Sequence, residues 1–517
     1  MAVIPDSMLI GGSGPALRAP DPPPPAAMAW RSGEQVTPLV DTVGQGTGWC
    51  DLGRFVSWLR EAQVVDGRAV DLPGVAVTLP YGCKLLARLE AIIRKHYTAF
   101  GYEEYDYPLV APAAVMEPAS TTLGLDNALL YFGDDRDWRQ GRRRGILTPT
   151  GEAMIYAHWA RMTHSADTLP IKMFRKARYF RPVRAGQGVF KPLEAPDIFE
   201  FQACHPDPAA SRAAMFDALE MVSGICEDVH LPVLWSTRPP WTNHGAVAET
   251  TIGGDVPLPH GGTVQVGCIY DQSDRFSRAY GVRWRDGADW AYTHHVTGCV
   301  SRRLLLSHIF LGMSSDGEML LHPDLAPTQV GVTLANGNAQ DHAWAAGLVE
   351  GLTAKGLRTR LEITADKQRA GKWQRLWRRQ GVPLRIFLQP PNVVKREMRA
   401  VVVRADTRQE ADFTADQPGG LVDRVPSALA EIGAGYAHRA YNFAVRQCAS
   451  ASAEDLREVL ARRAVAVCPL APTEAVTRHL ASWRLGEVLG FRRLDRSASC
   501  VVTGETTSAI GYVSPRT

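Results

Sequence analysis

The spacing of apolar residues predicts a succession of helices and strands in the first half of the chain. Apolar residues recur at helical spacing around Phe55 and again over residues 84–97, where they fill one face of an amphipathic helix. Between these two helices, residues 74–82 (GVAVTLPYG) predict a short strand that stops at Pro80. Regular structure is therefore expected from about residue 51 onward.

Two aromatic segments near the centre of the chain predict a pair of antiparallel strands. They cover residues 177–183 and 198–201, and a loop that contains glycine and arginine joins them. A polar turn at residues 148–152 (TPTGE) precedes the first strand. Arginine suits phosphate and carboxylate groups because its guanidinium is a planar fork. A basic, glycine-bearing loop at the tip of two strands therefore indicates a site for a polyphosphate.

Strands and helices alternate further along the chain. Predicted strands at 329–333, 357–363 and 382–388 are separated by predicted helices at 339–355 and 367–379. This alternation predicts a small parallel-type α/β domain. The second helix is basic, and its cationic face indicates either a contact to RNA or an ordinary solvated surface.

Length and composition narrow the class of protein. A chain of 517 residues corresponds to about two to four domains, and a net charge of +3 gives no argument for a nucleic-acid partner. The nine cysteines include no close Cys-x-x-Cys pair, which excludes a disulfide scaffold or a zinc ribbon and favours a reducing cytoplasm. No apolar segment approaches the ~20 residues of a membrane span, and the N-terminus lacks a signal-peptide pattern.

Three short motifs lie before or within the first of the two predicted strands. Residues 149–152 read PTGE, residues 169–172 read LPIK, and residues 180–181 read FR. With these motifs the chain resembles the class II aminoacyl-tRNA synthetases, and most of all the prolyl-tRNA synthetases of archaeal and eukaryotic type. In that family the corresponding motifs read Pro-Thr-Ser-Glu, Leu-Pro-Leu/Ile-Lys and Phe-Arg.

The resemblance implies a fold and a domain organisation. Residues 51–325 are expected to form an α+β class II synthetase catalytic domain, an antiparallel sheet flanked by helices. An α/β anticodon-binding-like domain over 326–425 and a small, helix-rich C-terminal α/β region over 426–517 should follow. Residues 1–50, rich in proline, glycine and alanine, predict a disordered leader, because they bury too little apolar surface to offset chain entropy. The family's first motif is a dimer interface, and its match at 105–115 implies a homodimer.

The resemblance also implies residues that bind ATP. Arg181, at the end of the second motif, would meet the α-phosphate and the substrate carboxylate. Arg303 would pack over the base as the arginine of the third motif. Gln265 and Gly267 would lie near ATP, and strict alternation along their strand would put both on one face. Cys299 stands where the family has a glycine, so its side chain could crowd the nucleotide.

A second set of residues is implied to bind proline. Thr150 and Glu152 would receive the imino group, a buried cation that needs a carboxylate partner. His205 matches a histidine of the family's pocket, while Ala203 stands where the family has glutamate. Gly245 matches the glycine loop that lines the same pocket.

No metal site of the protein's own is expected. Family members of the archaeal type carry a zinc module in the C-terminal region, where this chain has only Cys468 and Cys500. Two cysteines are too few for a four-ligand zinc site, so we expect no structural zinc. Mg²⁺ is expected to enter with ATP. His294 and His295 are neighbours on a predicted strand and point to opposite faces, which indicates two structural histidines.

Several positions depart from the family pattern, mostly where the family contacts RNA. Val183 replaces a glutamate, Glu194 and Pro196 stand where arginines are expected, and Pro391 and Asn392 replace two charged residues. The motifs for the amino acid and ATP survive better than those for RNA.

Three functions remain open on the sequence. The first is ATP-dependent activation of proline or a proline-like amino acid with transfer to tRNA. The second is activation with transfer to an acceptor other than tRNA in a biosynthetic pathway, and the third is a non-catalytic binding or regulatory protein. The retained Thr150, Glu152, Arg181 and Arg303 argue against the third function, and the altered RNA-facing residues favour the second over the first.

Overall fold

The computed structural model describes residues 2–11, 28, 52–68, 75–119, 129–163, 165–181, 188–190, 194–258, 261–314, 316–390 and 397–515. Of the departures noted above, Val183, Pro391 and Asn392 lie outside these residues, and only the backbone of Glu194 is described. Within the described ranges, every helix is too short or too polar to cross a membrane.

The first part of the chain combines antiparallel strands with helices. Its strands are β1 (Val65–Asp66), β2 (Val77–Thr78), β3 (Glu103–Glu104), β4 (Val110–Ala111), β5 (Leu130–Phe132), β6 (Gly145–Leu147), β7 (Ile171–Phe180), β8 (Glu194–His205), β9 (Leu234–Thr237), β10 (Thr250–Pro257), β11 (Thr263–Ser273), β12 (Arg283–Asp286), β13 (Asp289–Tyr292) and β14 (His294–Ser301). Its helices are α1 (Leu52–Glu61), α2 (Pro80–Ala99), α3 (Asp135–Arg139), α4 (Glu152–Met162), α5 (Pro208–Asp228), α6 (Asn243–Val247), α7 (Arg275–Tyr280) and α8 (Arg303–Leu311).

The second part of the chain is a mixed α/β domain. Its elements are β15 (Val330–Ala335), α9 (Ala339–Ala354), β16 (Thr359–Thr364), α10 (Lys367–Arg379), β17 (Leu384–Gln389), β18 (Met398–Arg404) and β19 (Glu410–Ala415). The sheet order is β16-β15-β17-β18-β19. The first three strands are parallel, as predicted, and β18 and β19 extend the sheet in antiparallel fashion. The short connection between β18 and β19 is a hairpin, because a parallel crossover needs a dozen or more residues.

The third part contains α11 (Gly419–Gln447), β20 (Cys448–Ser450), α12 (Leu456–Ala461), β21 (Val465–Pro469), α13 (Glu474–Ser482), β22 (Gly486–Ser499) and β23 (Thr506–Pro515). The expectation of a helix-rich region was wrong for its last 30 or so residues, where β22 and β23 form a long hairpin. Buried and less buried residues alternate along most of β23, which is the period of a half-buried strand.

One eleven-stranded sheet connects the first and third parts, in the order β20-β21-β23-β22-β9-β10-β11-β14-β8-β7-β3. The neighbours from β9 to β7 are all antiparallel. Helices α2 and α5 cover one face, where Tyr97, Phe199, Phe201 and Val222 are buried in the main apolar core. Helix α2 begins at Pro80, which accounts for the predicted break there, since proline favours the first position of a helix.

The beginning of the chain differs from the predicted disordered leader. Residues 2–11 pack on the third part: the Ile4 amide donates a hydrogen bond to the Pro472 carbonyl at 3.0 Å, and the Arg493 amide donates to Ile10 at 2.9 Å. Ile4, Leu9 and Ile10 are buried. The proline-rich composition belongs to later residues, whereas this first segment carries enough apolar side chains to join a core.

Candidate active site

The polar turn predicted to bind the amino acid closes against the end of β7. Thr150 is buried, and its hydroxyl donates a hydrogen bond to the carboxylate of Glu152, the first residue of α4. The Phe180 amide donates to the Thr148 carbonyl at 3.1 Å. Burial raises the pKa of Glu152, and the nearby Glu200 carboxylate adds to that increase. Burial and the neighbouring carboxylate therefore outweigh the contacts that would lower the pKa of Glu152.

Arg181 lies against the same turn. Its Nε donates a hydrogen bond to the Pro149 carbonyl at 2.8 Å, and its charge acts to lower the pKa of Glu152. The residue is exposed, and its terminal amino groups make no hydrogen bond to the described residues. The guanidinium is therefore held at one nitrogen and open at the other two, as an anion-binding arginine requires.

A second carboxylate, which no motif in the sequence indicated, lies beside Glu152. Glu200 on β8 is buried, accepts a hydrogen bond from Arg175 Nε at 2.9 Å and is also hydrogen-bonded by the Tyr179 hydroxyl. A Cβ on residue 151 would overlap this carboxylate. Gly151, where the family has serine, is therefore required by the presence of Glu200.

Strand alternation on β8 contradicts the placement of His205 in this pocket. Glu200 and Gln202 face α4, where the Tyr156 hydroxyl donates to Gln202 at 2.7 Å. Odd-numbered residues face the opposite side, and Ala203 is part of the core there. His205 lies opposite His294 at the end of the strand, about 17 Å along the strand from Glu200.

The environment of His205 is that of a structural residue. Burial and the nearby Lys172 charge lower its pKa to about 4, so it is neutral at physiological pH. Its Nε2 is buried without a hydrogen-bond partner in the part of the chain that the structure describes. Residue spacing alone could not reveal this, because it carries no information about which face of a strand a residue occupies.

Gly245 lies in α6 at a close approach to the preceding turn. A Cβ there would overlap the Pro240 carbonyl. This close approach by itself accounts for a glycine at residue 245, and no bound ligand is needed to explain it. Arg275 Nη1 donates to the Gly245 carbonyl at 2.6 Å and ties this loop to α7. Helix α7 in turn packs on α4, with the rings of Phe276 and Tyr156 5.7 Å apart.

Arg303 lies on the other side of the turn, at the start of α8. Its Nε donates to the Phe190 carbonyl at 2.7 Å and its Nη1 to the Gln265 carbonyl at 3.2 Å. Burial lowers its pKa, and the charge of Arg181 contributes in the same direction. The structure thus brings together the two arginines that were predicted from separate motifs.

A β-bulge corrects the prediction for Gly267. Asp255 and Gly254 on β10 lie opposite Gln265 and Gly267, so Val266 is an extra residue in β11. A bulge of this kind shifts the following residues to the other face. A Cβ on Gly267 would meet Trp235 and Val222 in the core, while Gln265 stays on the face of the site.

The same bulge puts Cys268 on the site face, in a row of residues that face one another across four strands. Arg175 on β7 pairs with Glu200 on β8, Glu200 with Cys299 on β14, and Cys299 with Cys268 on β11. The two sulfur atoms are 3.5 Å apart. Cys299, expected only to crowd the nucleotide, therefore has a thiol partner that the register alone reveals.

Several arginines in the loop before β6 and in α10, whose charge would otherwise suit RNA phosphates, are paired within the chain. Arg142 and Arg144 bind the buried Asp137, and Arg143 lies over the ring of Tyr131 at 4.2 Å. In α10, Arg378 pairs with Glu318, and Arg379 donates to the Asp316 carbonyl at 2.6 Å.

Among the described residues, one group of three potential metal ligands comes together, formed by His230, His322 and Asp324. The two imidazole rings are stacked, with centroids 3.3 Å and planes 22° apart. A metal ion binds an imidazole nitrogen through a lone pair that lies in the plane of the ring. Because the two rings are stacked, an ion in the plane of one ring would lie outside the plane of the other. This geometry does not favour a metal site.

His295 is buried and contacts the Thr293 hydroxyl at 2.9 Å.

Curated relatives of known activity resemble most of the chain. The proline–tRNA ligase of Thermococcus kodakarensis is 25% identical over 397 residues, which cover 75% of this chain and 81% of that protein. The proline–tRNA ligase of Methanopyrus kandleri is 26% identical over 388 residues, covering 73% and 78%. No protein-family model matches the chain.

Solved structures share the fold. Giardia lamblia prolyl-tRNA synthetase in complex with prolyl-adenylate superimposes with a TM-score of 0.77 at 18% identity, over 90% of this chain and 97% of that chain. The Cryptosporidium parvum prolyl-tRNA synthetase complexed with halofuginone and AMPPNP gives 0.79 at 15% identity, over 90% and 96%. The predicted fold class is confirmed: the chain has the fold of the class II prolyl-tRNA synthetases.

Proposed function

We propose that the chain is a ligase that activates proline, or a proline-like amino acid, with ATP to form an acyl-adenylate and pyrophosphate. The observation that carries this proposal is the arrangement of Thr150, Glu152 and Arg181 around one turn, with Arg303 near enough to Arg181 for their charges to interact. The names of the relatives, and the adenylate and nucleotide complexes of the structural neighbours, support it.

Glu152 and Thr150 are proposed to bind the imino group of the amino acid. A carboxylate that is partly removed from water and lies near a second carboxylate gains most from an incoming cation. The raised pKa of Glu152 has this cause. A bound secondary ammonium group would favour the ionised form of Glu152 and could donate a hydrogen bond to the Thr150 hydroxyl oxygen.

Arg181 and Arg303 are proposed to hold the reacting phosphate and the nucleotide. In the activation step the amino-acid carboxylate attacks the α-phosphate of ATP, and pyrophosphate leaves. The protein has to align the two anions and offset the charge that develops on phosphorus. ATP would enter as its Mg²⁺ complex, since Mg²⁺ is commonly held through substrate phosphates. Gln265 would contact the nucleotide from β11, whereas Gly267 would act only through packing.

The acceptor of the activated amino acid is proposed to be tRNA, with a contact on α10. A surface cavity of about 540 Å³ lies beside this helix and includes Arg369, Lys372 and Trp373 in its lining. Arg360 lies over the Trp373 ring at 4.4 Å. An aromatic ring among cations suits an unpaired nucleotide base.

A non-tRNA acceptor is the second candidate, because the pairing of Arg142, Arg144, Arg378 and Arg379 with acidic or carbonyl groups leaves less positive charge to bind RNA phosphates.

A homodimer is proposed as the working form. Leu109 and Val110 on the predicted interface segment are 46% and 42% exposed, which is unfavourable unless another surface covers them.

The test is ATP–pyrophosphate exchange over a panel of amino acids and proline analogues, with and without tRNA. Exchange that depends on proline or an analogue supports activation, and charging of tRNA then separates the first acceptor from the second. Exchange with none of the amino acids would instead favour a binding or regulatory protein.

A further inference from the structure

We propose that Cys268 and Cys299 are a site of reversible oxidation, a dithiol that closes into a cross-strand disulfide on the floor of the candidate active site. The pair lies between the amino-acid side of the site, at Glu200, and the nucleotide side, at Arg303. Its chemistry is independent of which amino acid the site accepts.

The backbone geometry permits the bond without movement of the strands. Cys268 and Cys299 are direct register partners on the antiparallel strands β11 and β14. Directly opposed residues in such a pair have Cα atoms about 4.5 or 5.5 Å apart. Both separations fall within the roughly 4.4–6.8 Å that disulfides span. The sulfur atoms are 3.5 Å apart, so rotation of the two side chains is sufficient.

The electrostatic environment favours a thiolate in the pair. Hydrogen bonding from the Cys299 thiol lowers the pKa of Cys268 to about 7, although burial opposes the shift. The pKa of Cys299 is raised by the same shared proton. Arg238, whose side chain lies across Gly253 beside Cys268, adds a positive charge. One thiolate next to one thiol is the arrangement in which the first can attack an oxidant and the second can resolve the product.

Access is possible from the side of the site. Cys299 is partly exposed, whereas Cys268 is buried. A small reagent therefore meets the pair at Cys299, the position that is glycine in the family. In a reducing compartment such a disulfide would form only transiently, as is usual for redox-sensing pairs.

The proposed oxidant class is a low-molecular-weight disulfide. Cys299, the accessible sulfur, passes the shared proton to Cys268 and attacks one sulfur of the reagent as a thiolate. A mixed disulfide forms on Cys299, and one thiolate of the reagent leaves. The remaining cysteine then loses its proton and attacks the bound sulfur, which releases the second thiolate. One leaving thiolate takes up the proton of the second cysteine and the other takes up a proton from solvent. The protein thus loses two electrons and one proton, and the reagent is reduced to two thiols.

The experiment uses the full-length protein in buffers of oxidised and reduced glutathione, followed by peptide mapping without reduction. We expect a peptide that links Cys268 to Cys299, a loss of the two free thiols of this pair, and full reversal by dithiothreitol. Cys83 provides the control, because it is exposed and its thiol lies against the Thr78 carbonyl rather than against another of the described cysteines. It should stop at a mixed disulfide with glutathione.

Two variants complete the test. Cys299→Ser and Cys268→Ser should each abolish the linked peptide, whereas Cys83→Ser should leave it unchanged. Peptide mapping of the wild-type protein is independent of the variants, so misfolding of a variant would not affect its result. If Cys83 becomes glutathionylated while Cys268 and Cys299 both remain free, the proposal is wrong. Glutathionylation of Cys299 that never proceeds to the linked peptide would overturn it equally.

Discussion

The carboxylate of Glu200 occupies the space that a side chain at Gly151 would need. The two residues lie on different elements, the turn before α4 and strand β8, and they meet beside Glu152. The family serine at residue 151 and the Glu200 carboxylate are therefore mutually exclusive in this geometry. This relationship explains the Thr-Gly-Glu turn as an adjustment to a second acidic residue.

The first prediction concerns this pair. Gly151→Ala should lower the free energy of unfolding by about 1–3 kcal/mol, because the added methyl group overlaps the buried carboxylate. In a Glu200→Ala background the overlap is gone, so the same change should cost much less. Denaturant unfolding of the four proteins of this double-mutant cycle measures the coupling.

Gly67→Ala is the matched control for this cycle, since a Cβ there has no atom of the described residues within 4 Å beyond its chain neighbours. It should leave the unfolding free energy nearly unchanged. Additive effects of Gly151→Ala and Glu200→Ala would show that the two residues do not compete for space.

The second prediction concerns the nucleotide. Arg181→Ala or Arg303→Ala should each weaken ATP binding by about 1.5–3 kcal/mol, because each removes a charged hydrogen-bond donor. Isothermal titration with ATP measures the loss. Arg478, an exposed residue paired with Glu474, supplies a control arginine whose replacement by alanine should have no effect. ATP affinity that stays the same in both site variants would reject the assignment.

The third prediction uses the raised pKa of Glu152. An acid whose folded-state pKa lies above its ordinary value of 4.5 binds more protons in the folded state, so its ionisation costs stability as pH rises above that value. Glu152→Gln should therefore be more stable than the wild type at pH 7, with an advantage that shrinks toward pH 4.5. Urea unfolding at several pH values measures the difference.

Substrate should reverse this order. Proline is expected to stabilise the wild type, because its cationic group supplies the missing partner, and to have little effect on Glu152→Gln. An equal stabilisation of both proteins by proline would remove Glu152 from the amino-acid site.

The fourth prediction concerns His205. Its pKa is depressed from 6.5 to about 4, so the neutral form stabilises the fold above pH 6.5 and this contribution is lost as pH falls toward 4. By linkage the loss is about 3 kcal/mol. His205→Gln should flatten stability over this pH range while leaving the KM for proline unchanged. A large increase in KM would return His205 to the pocket.

The fifth prediction concerns RNA. Binding of tRNA should be weak at ordinary ionic strength and should fall steeply with salt, because several of the basic residues are already paired and binding rests on the remaining phosphate contacts. Pyrophosphate exchange should proceed without tRNA. Filter binding over a salt series tests this, with Trp373→Ala as a variant of the α10 cavity. Tight binding of tRNA that does not weaken with salt would contradict the prediction.

Some elements could be predicted from the sequence because local patterns determine them. The pair β7 and β8 was expected at 177–183 and 198–201 and is observed at Ile171–Phe180 and Glu194–His205. The strands are longer than predicted because charged residues within them concealed the pattern. Arg175, for example, is a buried strand residue whose charge is compensated by Glu200 only across the register.

The errors in the site have the same origin. A bulge at Val266 and the face of His205 depend on pairing between strands, which no local pattern records. Cys268 and Cys299 are 31 residues apart in the sequence, and their thiols become neighbours only because β11 pairs with β14. Motif spacing identified Arg181 and Arg303 because each motif is continuous in the chain.

The central claim is that this site activates an amino acid, and amino-acid-dependent ATP–pyrophosphate exchange in the absence of tRNA tests it most directly. We predict exchange that requires proline or a proline-like amino acid and that falls by at least tenfold in Arg181→Ala, Arg303→Ala and Glu152→Gln but not in Arg478→Ala. A folded protein that supports no exchange with any amino acid, or exchange that all three site variants retain, would contradict the account.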